Sequence, residues 1–216
     1  MEQKTILWDM DGVLFDSEKA YMDGNIQVMR QLGYDQDEKK LYRVIGQDMD
    51  GLYTMLTELL DGQVTKEELK QAIDHYYRVH PLCFRSMLFP DVPATLRILK
   101  ERGVKMVVCS GSPRQTIMEA LKECDLTAYF DFVLSSDEVH FPKPHPDVYL
   151  KAAAMLTADP QACIVYEDST LGIQAGKRAG MYVIARRDDR YGQDQSQADR
   201  IVENSVEMLK VINGED

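Results

Sequence analysis

No stretch of the 216-residue chain approaches the roughly eighteen consecutive apolar residues of a membrane span, and no charged-then-apolar leader opens it. Both absences lead to the expectation of a cytoplasmic protein. Positive charge is scarce, with 25 Lys and Arg against 36 Asp and Glu, a net charge of −11. Such a surface is not drawn to nucleic acid or to an anionic membrane, so an anionic substrate must be gripped by local groups or by a cation. The four cysteines, Cys83, Cys109, Cys124 and Cys163, show no C-x-x-C spacing and read as reduced, structural thiols. The four histidines, His75, His80, His140 and His145, lack metal-ligand spacing and read as surface or packing residues. Neither an internal repeat nor a low-complexity tract is visible.

What is present is a 44% hydrophobic chain, enough for a sizeable core, with apolar β-rich runs at residues 5–8, 104–109, 132–134, 162–166 and 182–185. Helix-like stretches separate the later runs, and strands alternating with helices predict a parallel α/β sheet. About ninety residues lie between the first two runs, far more than one crossover helix needs. An insertion is therefore expected, assigned to residues 17–85, with residues 1–16 and 86–216 forming the core. The insertion reads as helical: Met22, Ile26 and Met29 share a face, and Thr65 with Glu68 forms a capping-box signature. From Phe89 the chain reads as a helix closing on Gly103, and the polar residues 188–199 as a surface loop.

Three strand ends carry chemistry. In "ILWDMDGVLFDS" a buried run ends in Asp9 and Asp11, two positions apart and so facing one volume, and then turns on Gly12. The alternative of capping the following helix suits Asp16 and Ser17 better. The second run ends in "CSGSPRQTI", where Ser112 suits an N-cap and Pro113 the first helical position. Ser110 and Gly111 then lie at a helix N-terminus suited to phosphate, although many Ser-Gly turns are only turns. The fourth run, "ACIVYED", ends in Glu167 and Asp168, acids able to join a Mg²⁺ site or, for Asp168, to cap a helix. Lys143 sits between two prolines in "FPKPHPDVYL".

With these residues in order, the sequence resembles the haloacid dehalogenase-like superfamily, in its β-phosphoglucomutase-like subgroup with a helical cap after the first strand. "DMDGVLFDS", "CSGS", "FPKPHPDVYL" and "VYEDSTLGIQAGKRAGM" match its four motifs in turn. The resemblance implies a Rossmann-like core in which Asp9 is the nucleophile forming an aspartyl-phosphate and Asp11 the general acid/base. It implies Mg²⁺ held by Asp9, Asp168 and the main-chain carbonyl of Asp11, with Glu167 near the metal. Ser110, Gly111 and Lys143 would bind the phosphoryl group, Lys143 also balancing the charge of Asp9. A cap suggests closure over the site during reaction.

Within the subgroup the alternatives are phosphatases of small phosphomonoesters, sugar phosphates among them, and β-phosphoglucomutases. Mutases of the subgroup present a histidine where this chain has Tyr21, after Ser17 and Glu18, and an arginine at the position of Met49. A bisphosphate intermediate needs such a cation, and Lys39, Lys40, Arg43 and Arg78 are the candidates to replace it. The phosphatase is the expected reading, acting on a small phosphorylated metabolite. A receiver-like phosphate-binding module lacks the insertion, and a dehalogenase has little use for Asp11. Tyr21, Met49 and Tyr53 are expected to line a substrate pocket or, alternatively, the insertion's own core.

Overall fold

A computed structural model describes residues 5–215; residues 1–4 and 216, assigned to the core from sequence, lie outside the described residues. Among the described residues six strands follow in chain order: β1 (Thr5–Trp8), β2 (Lys105–Ser110), β3 (Phe132–Ser135), β4 (Cys163–Glu167), β5 (Tyr182–Arg186) and β6 (Arg200–Val202). They build one parallel sheet in the order β3-β2-β1-β4-β5-β6. The five expected runs are strands whose ends move by at most one residue. Strand β6 went unread because three residues at a sheet edge carry no period.

The helices are α1 (Glu18–Gln31), α2 (Met49–Leu59), α3 (Lys66–Val79), α4 (Phe84–Met87), α5 (Val92–Glu101), α6 (Arg114–Glu123), α7 (Asp147–Met155), α8 (Thr170–Arg178) and α9 (Ser205–Asn213). Strand β1 is covered on both faces, which is why "TILW" shows no polar alternation. Ile6 and Trp8 pack with Val92, Leu96 and Val108, while Leu7 packs with Val107, Val165 and Ile173 on the other side. Each such side chain contributes about 1.5–3 kcal/mol by leaving water. Helices α1 to α3 and the 3₁₀ segment Glu38–Val44 share a separate cluster built on Met22, Met29, Leu41, Leu56, Leu69 and Ile73. The Thr65–Glu68 capping box forms at the start of α3, and Gly103, at φ +71°, follows the end of α5.

Two sequence readings need correction. All four cysteines are free, but Cys83 is exposed rather than packed. Residues 188–199 do form a loop, yet Gln195 is buried and donates to the carbonyls of Asp168 and Arg186, at 2.6 and 2.7 Å. Arg190 reaches Asp16 at 2.7 Å, and Tyr191 meets Tyr42 edge-on, so this loop braces the insertion against the sheet.

Asp91, just before α5, clamps three elements together. Its carboxylate accepts from Arg186 at 3.0 and 3.3 Å and from the Ser205 amide and hydroxyl at 2.7 and 2.6 Å. Burial opposes its charge, but the hydrogen bonds from Arg186 and Ser205 outweigh burial and hold it below the ordinary value. A carboxyl lowered on folding contributes stability above its unfolded value near ~3.9 and loses it as pH falls through the folded value. Asp91→Asn is expected to cost about 2–3 kcal/mol in urea unfolding near neutral pH, because Arg186 is left buried beside a neutral group. The same variant should lose part of the acid-side fall in stability.

Candidate active site

The chain runs from β1 outward through β2 to β3, then returns to β4 on the other side of β1. Open α/β sheets bind ligands at the carboxyl ends of the strands flanking such a reversal. Asp9 directly follows β1, its amide donating to the Tyr166 carbonyl at 2.9 Å, and Glu167 ends the adjacent β4. Gly12 turns the chain back at φ +74°, and its missing side chain matters as much as its backbone. A Cβ there would lie 2.0 Å from Oδ2 of Asp168.

Lys143 is the hub. Its ammonium donates to Asp9 Oδ1 at 2.6 Å, Glu167 Oε1 at 2.7 Å and the Cys109 carbonyl at 3.1 Å, which uses all three of its donors. Burial works to strip its proton, and the charges of Asp9 and Glu167 reverse that and hold it charged. Glu167 is fully buried: Oε1 also accepts from Tyr149 at 3.0 Å, and Oε2 from the amides of Asp168 and Ser169 at 2.8 and 2.9 Å. Burial opposes its charge, but Lys143 and these amides keep it below the ordinary carboxylate range.

Asp11 is held differently, accepting from the hydroxyls of Ser17 at 2.6 Å and Ser112 at 2.8 Å. Burial raises its proton affinity while the hydroxyls pull against it. Three residues that the sequence offered as helix caps make no cap bond. Ser17 stands at the start of α1 but its side chain makes no cap bond, because its hydroxyl is spent on Asp11. Ser112 caps nothing either: Pro113 takes the N-cap position and α6 begins at Arg114. Asp168 leaves the capping of α8 to Ser169, which accepts from the Gly172 amide at 3.1 Å. Ser110 is buried with its hydroxyl accepting from the Ser112 amide at 3.0 Å, while Gly111 and Ser112 reach the cavity.

Asp9, Glu167 and Asp168 bring carboxylate oxygens within 4.8 Å of one another. The Asp168 carboxylate is buried and takes no hydrogen bond or ion pair from the described residues. Burial and the charge of Glu167 push Asp168 upward; burial does the same to Asp9 against the pull of Lys143. An all-oxygen donor set with an unspent carboxylate and more negative charge than Lys143 balances fits a hard divalent cation such as Mg²⁺. Asp9 and Asp168 have the freer oxygens, whereas both oxygens of Glu167 are already engaged.

Asp9, Asp11, Lys143 and Asp168 form one wall of a cavity of about 320 Å³. The opposite wall comes from the insertion: Glu18, Tyr21, Met22 and Asn25 of α1, Gln47, Met49 and Leu52 around the start of α2, and Ile73, Asp74 and Tyr77 of α3. The insertion presses on the sheet here, since a Cβ on Gly111 would come 3.3 Å from the Gln47 carbonyl. Tyr21 and Met49 line this cavity. Tyr53 does not, because α2 turns its Met49–Leu52 side to the cavity and leaves Tyr53 packed on the insertion's apolar cluster. Glu18, Asn25 and the serines on Asp11 were missed. The "SE" after Asp16 was readable only as a helix start, and nothing in spacing says that its face is turned inward.

The family model of haloacid dehalogenase-like hydrolases matches residues 6–186. A phosphorylated carbohydrates phosphatase of Thermotoga maritima is 30% identical over 180 residues, covering 82% of each chain. Hexitol phosphatase B of Escherichia coli is 31% identical over 182 residues, 81% of this chain and 79% of that one. In structure, the β-phosphoglucomutase of Clostridium difficile shares the fold with a TM-score of 0.83 at 21% identity, over 98% of this chain and 96% of that one.

Proposed function

The chain belongs to the haloacid dehalogenase-like hydrolase family, and on that premise we propose that it is a Mg²⁺-dependent phosphatase of small phosphomonoesters, sugar phosphates among them. One observation carries the reading. Asp9, held by Lys143, and Asp11, held by two hydroxyls, face one small cavity roofed by the helical insertion. The related phosphatases of carbohydrates and hexitols support the substrate class.

In this mechanism the Asp9 carboxylate attacks phosphorus and forms an aspartyl-phosphate, while Asp11 gives its proton to the departing ester oxygen. Asp11, now ionised, takes a proton from the water that attacks the aspartyl-phosphate, releasing inorganic phosphate and restoring Asp9. The raised proton affinity of Asp11 suits the first step, and the Ser17 and Ser112 hydroxyls steady the anion left by it. Asp9, Asp168 and the Asp11 carbonyl would hold Mg²⁺, which when bound supplies charge stabilisation for the phosphoryl group. Lys143 supplies the fixed positive charge beside Asp9, and Glu167 with Tyr149 orients Lys143. Gly111 and Ser112 offer the phosphoryl group the end of α6, with Ser110 beneath them. Residues 17–85 act as the cap, closing over the cavity to exclude water during attack.

The mutase alternative needs a cation away from the chemistry to hold a second phosphate. Lys143 is the one cation lining the cavity among the described residues, and Lys39, Lys40, Arg43 and Arg78 all lie exposed elsewhere. A ³¹P NMR time course with Mg²⁺ tests the reading on hexitol and sugar monophosphates, and on β-glucose 1-phosphate with a trace of glucose 1,6-bisphosphate. Free phosphate is expected, absent under chelator and restored by Mg²⁺. Glucose 6-phosphate growing without free phosphate would instead make the protein a mutase.

A further inference from the structure

The insertion's side of the cavity holds two polar side chains that no described residue satisfies. Glu18 is 9% exposed and Asn25 4%, both line the cavity, and neither side chain makes a hydrogen bond or ion pair with a described residue. They are seven residues apart on α1, two helical turns, so they stand on one face about 10 Å apart along its axis. An acid in the first turn of a helix is ordinarily explained by the helix dipole, but that role does not call for a carboxylate that is mostly buried and lines a cavity. Glu18 is also outside the trio of carboxylates gathered around Asp9. The polar atoms of Glu18 and Asn25 open on the cavity, so whatever fills it must be their hydrogen-bond partner.

Among the described residues the rest of this wall adds no positive charge. Gln47, Tyr21 and Tyr77 are neutral donors and acceptors, Asp74 stands exposed at the rim, and Lys143 has no donor to spare. A leaving group with a second phosphate or a carboxylate would meet two acids and no cation. A neutral hydroxylated carbon chain would offer each group a partner, because a hydroxyl both donates and accepts.

We propose that Glu18 and Asn25 select the leaving group, pairing with the hydroxyls of a neutral polyol or sugar and rejecting phosphomonoesters that carry a second anionic group. This rests on the phosphatase reading of the same site. Burial and the charges of Asp11 and Asp9 raise the proton affinity of Glu18, and in either form it suits a hydroxyl, whereas a second anion finds no cation among the described residues of this wall. Glu18→Gln fixes that side chain neutral at unchanged size, so it separates the two classes of substrate.

The test measures phosphate release from sorbitol 6-phosphate, phosphoglycolate, fructose 1,6-bisphosphate and ethanolamine phosphate. Acetyl phosphate, which has neither hydroxyl nor second anion, serves as the reference for the chemistry in each protein. The native enzyme is expected to favour sorbitol 6-phosphate in kcat/KM by on the order of 100-fold over both anionic esters. Glu18→Gln should narrow that ratio at least about tenfold, and Asn25→Leu should lower kcat/KM for sorbitol 6-phosphate by about 10- to 100-fold relative to acetyl phosphate. If circular dichroism shows Glu18→Gln unfolded, Asn25→Leu decides, read against acetyl phosphate. Equal turnover of the anionic esters, a preference for ethanolamine phosphate, or an unmoved ratio in the folded variants overturns the assignment while the phosphatase stands. Failure to release phosphate from acetyl phosphate and every ester overturns the phosphatase reading and this inference with it.

Discussion

Asp9→Asn is expected to lower turnover by at least about 10³-fold while leaving the circular dichroism spectrum and the urea midpoint close to those of the native protein. The asymmetry follows from how the site is wired. An amide at position 9 lacks the charge and nucleophilicity to attack phosphorus, so the chemical step is lost. Removing one member of a buried ion pair ordinarily costs about 3–5 kcal/mol, because the partner stays buried and uncompensated. Here the partner is not abandoned: Lys143 keeps Glu167 at 2.7 Å and the Cys109 carbonyl at 3.1 Å, and an asparagine oxygen can still accept its third proton. The substitution also removes one of the acids whose repulsion burial makes costly. Phosphate release measured beside unfolding decides the matter, and turnover near the native level would take Asp9 out of the nucleophile role.

The difference between Asp9 and Glu18 shows what the sequence could disclose. Asp9 follows an apolar run and precedes a glycine turn, so strand periodicity and the turn residue place it at the end of a buried strand without any knowledge of tertiary structure. The same local logic reached the other strand-end acids, Glu167 and Asp168, and the capping box at Thr65. Glu18 and Asn25 lie on a helix whose inward face is fixed by where the insertion docks, which depends on α3, on the loop around Gln47 and on Tyr191. Those contacts join residues far apart in the chain. Serines misled for a related reason. Ser17 and Ser112 occupy positions that favour helix capping, but Asp11, distant from Ser112 in sequence, competes for both hydroxyls and takes them at 2.6 and 2.8 Å. Lys143 was legible only as a lysine between prolines; its bonds to Asp9 and Glu167 span 134 and 24 residues.

Gly172→Ala sets local propensity directly against this long-range design, and the long-range term is expected to win. Gly172 lies in the first turns of α8, where alanine should add about 0.5–1 kcal/mol by helix propensity alone. A Cβ there would sit 1.5 Å from Oε1 and 1.9 Å from Cδ of Glu167, space that the carboxylate fills. Glu167 has nowhere to retreat, because Lys143, Tyr149, Ser169 and the amides of Asp168 and Ser169 hold its two oxygens. Overpacking of this kind costs about 1–3 kcal/mol, and each hydrogen bond to a charged group that is lost adds roughly 1.5–3 kcal/mol. The net expectation is a loss of about 2–4 kcal/mol in urea unfolding. Turnover should fall more steeply than stability, since any shift of Glu167 also shifts Lys143 and, through it, the charge beside Asp9. Mg²⁺ titration by calorimetry should show weakened binding, because the displaced carboxylate borders Asp168. An alanine variant that is more stable and fully active would mean that Glu167 is free to move, and that its bonds do not position the lysine on which the proposed chemistry depends.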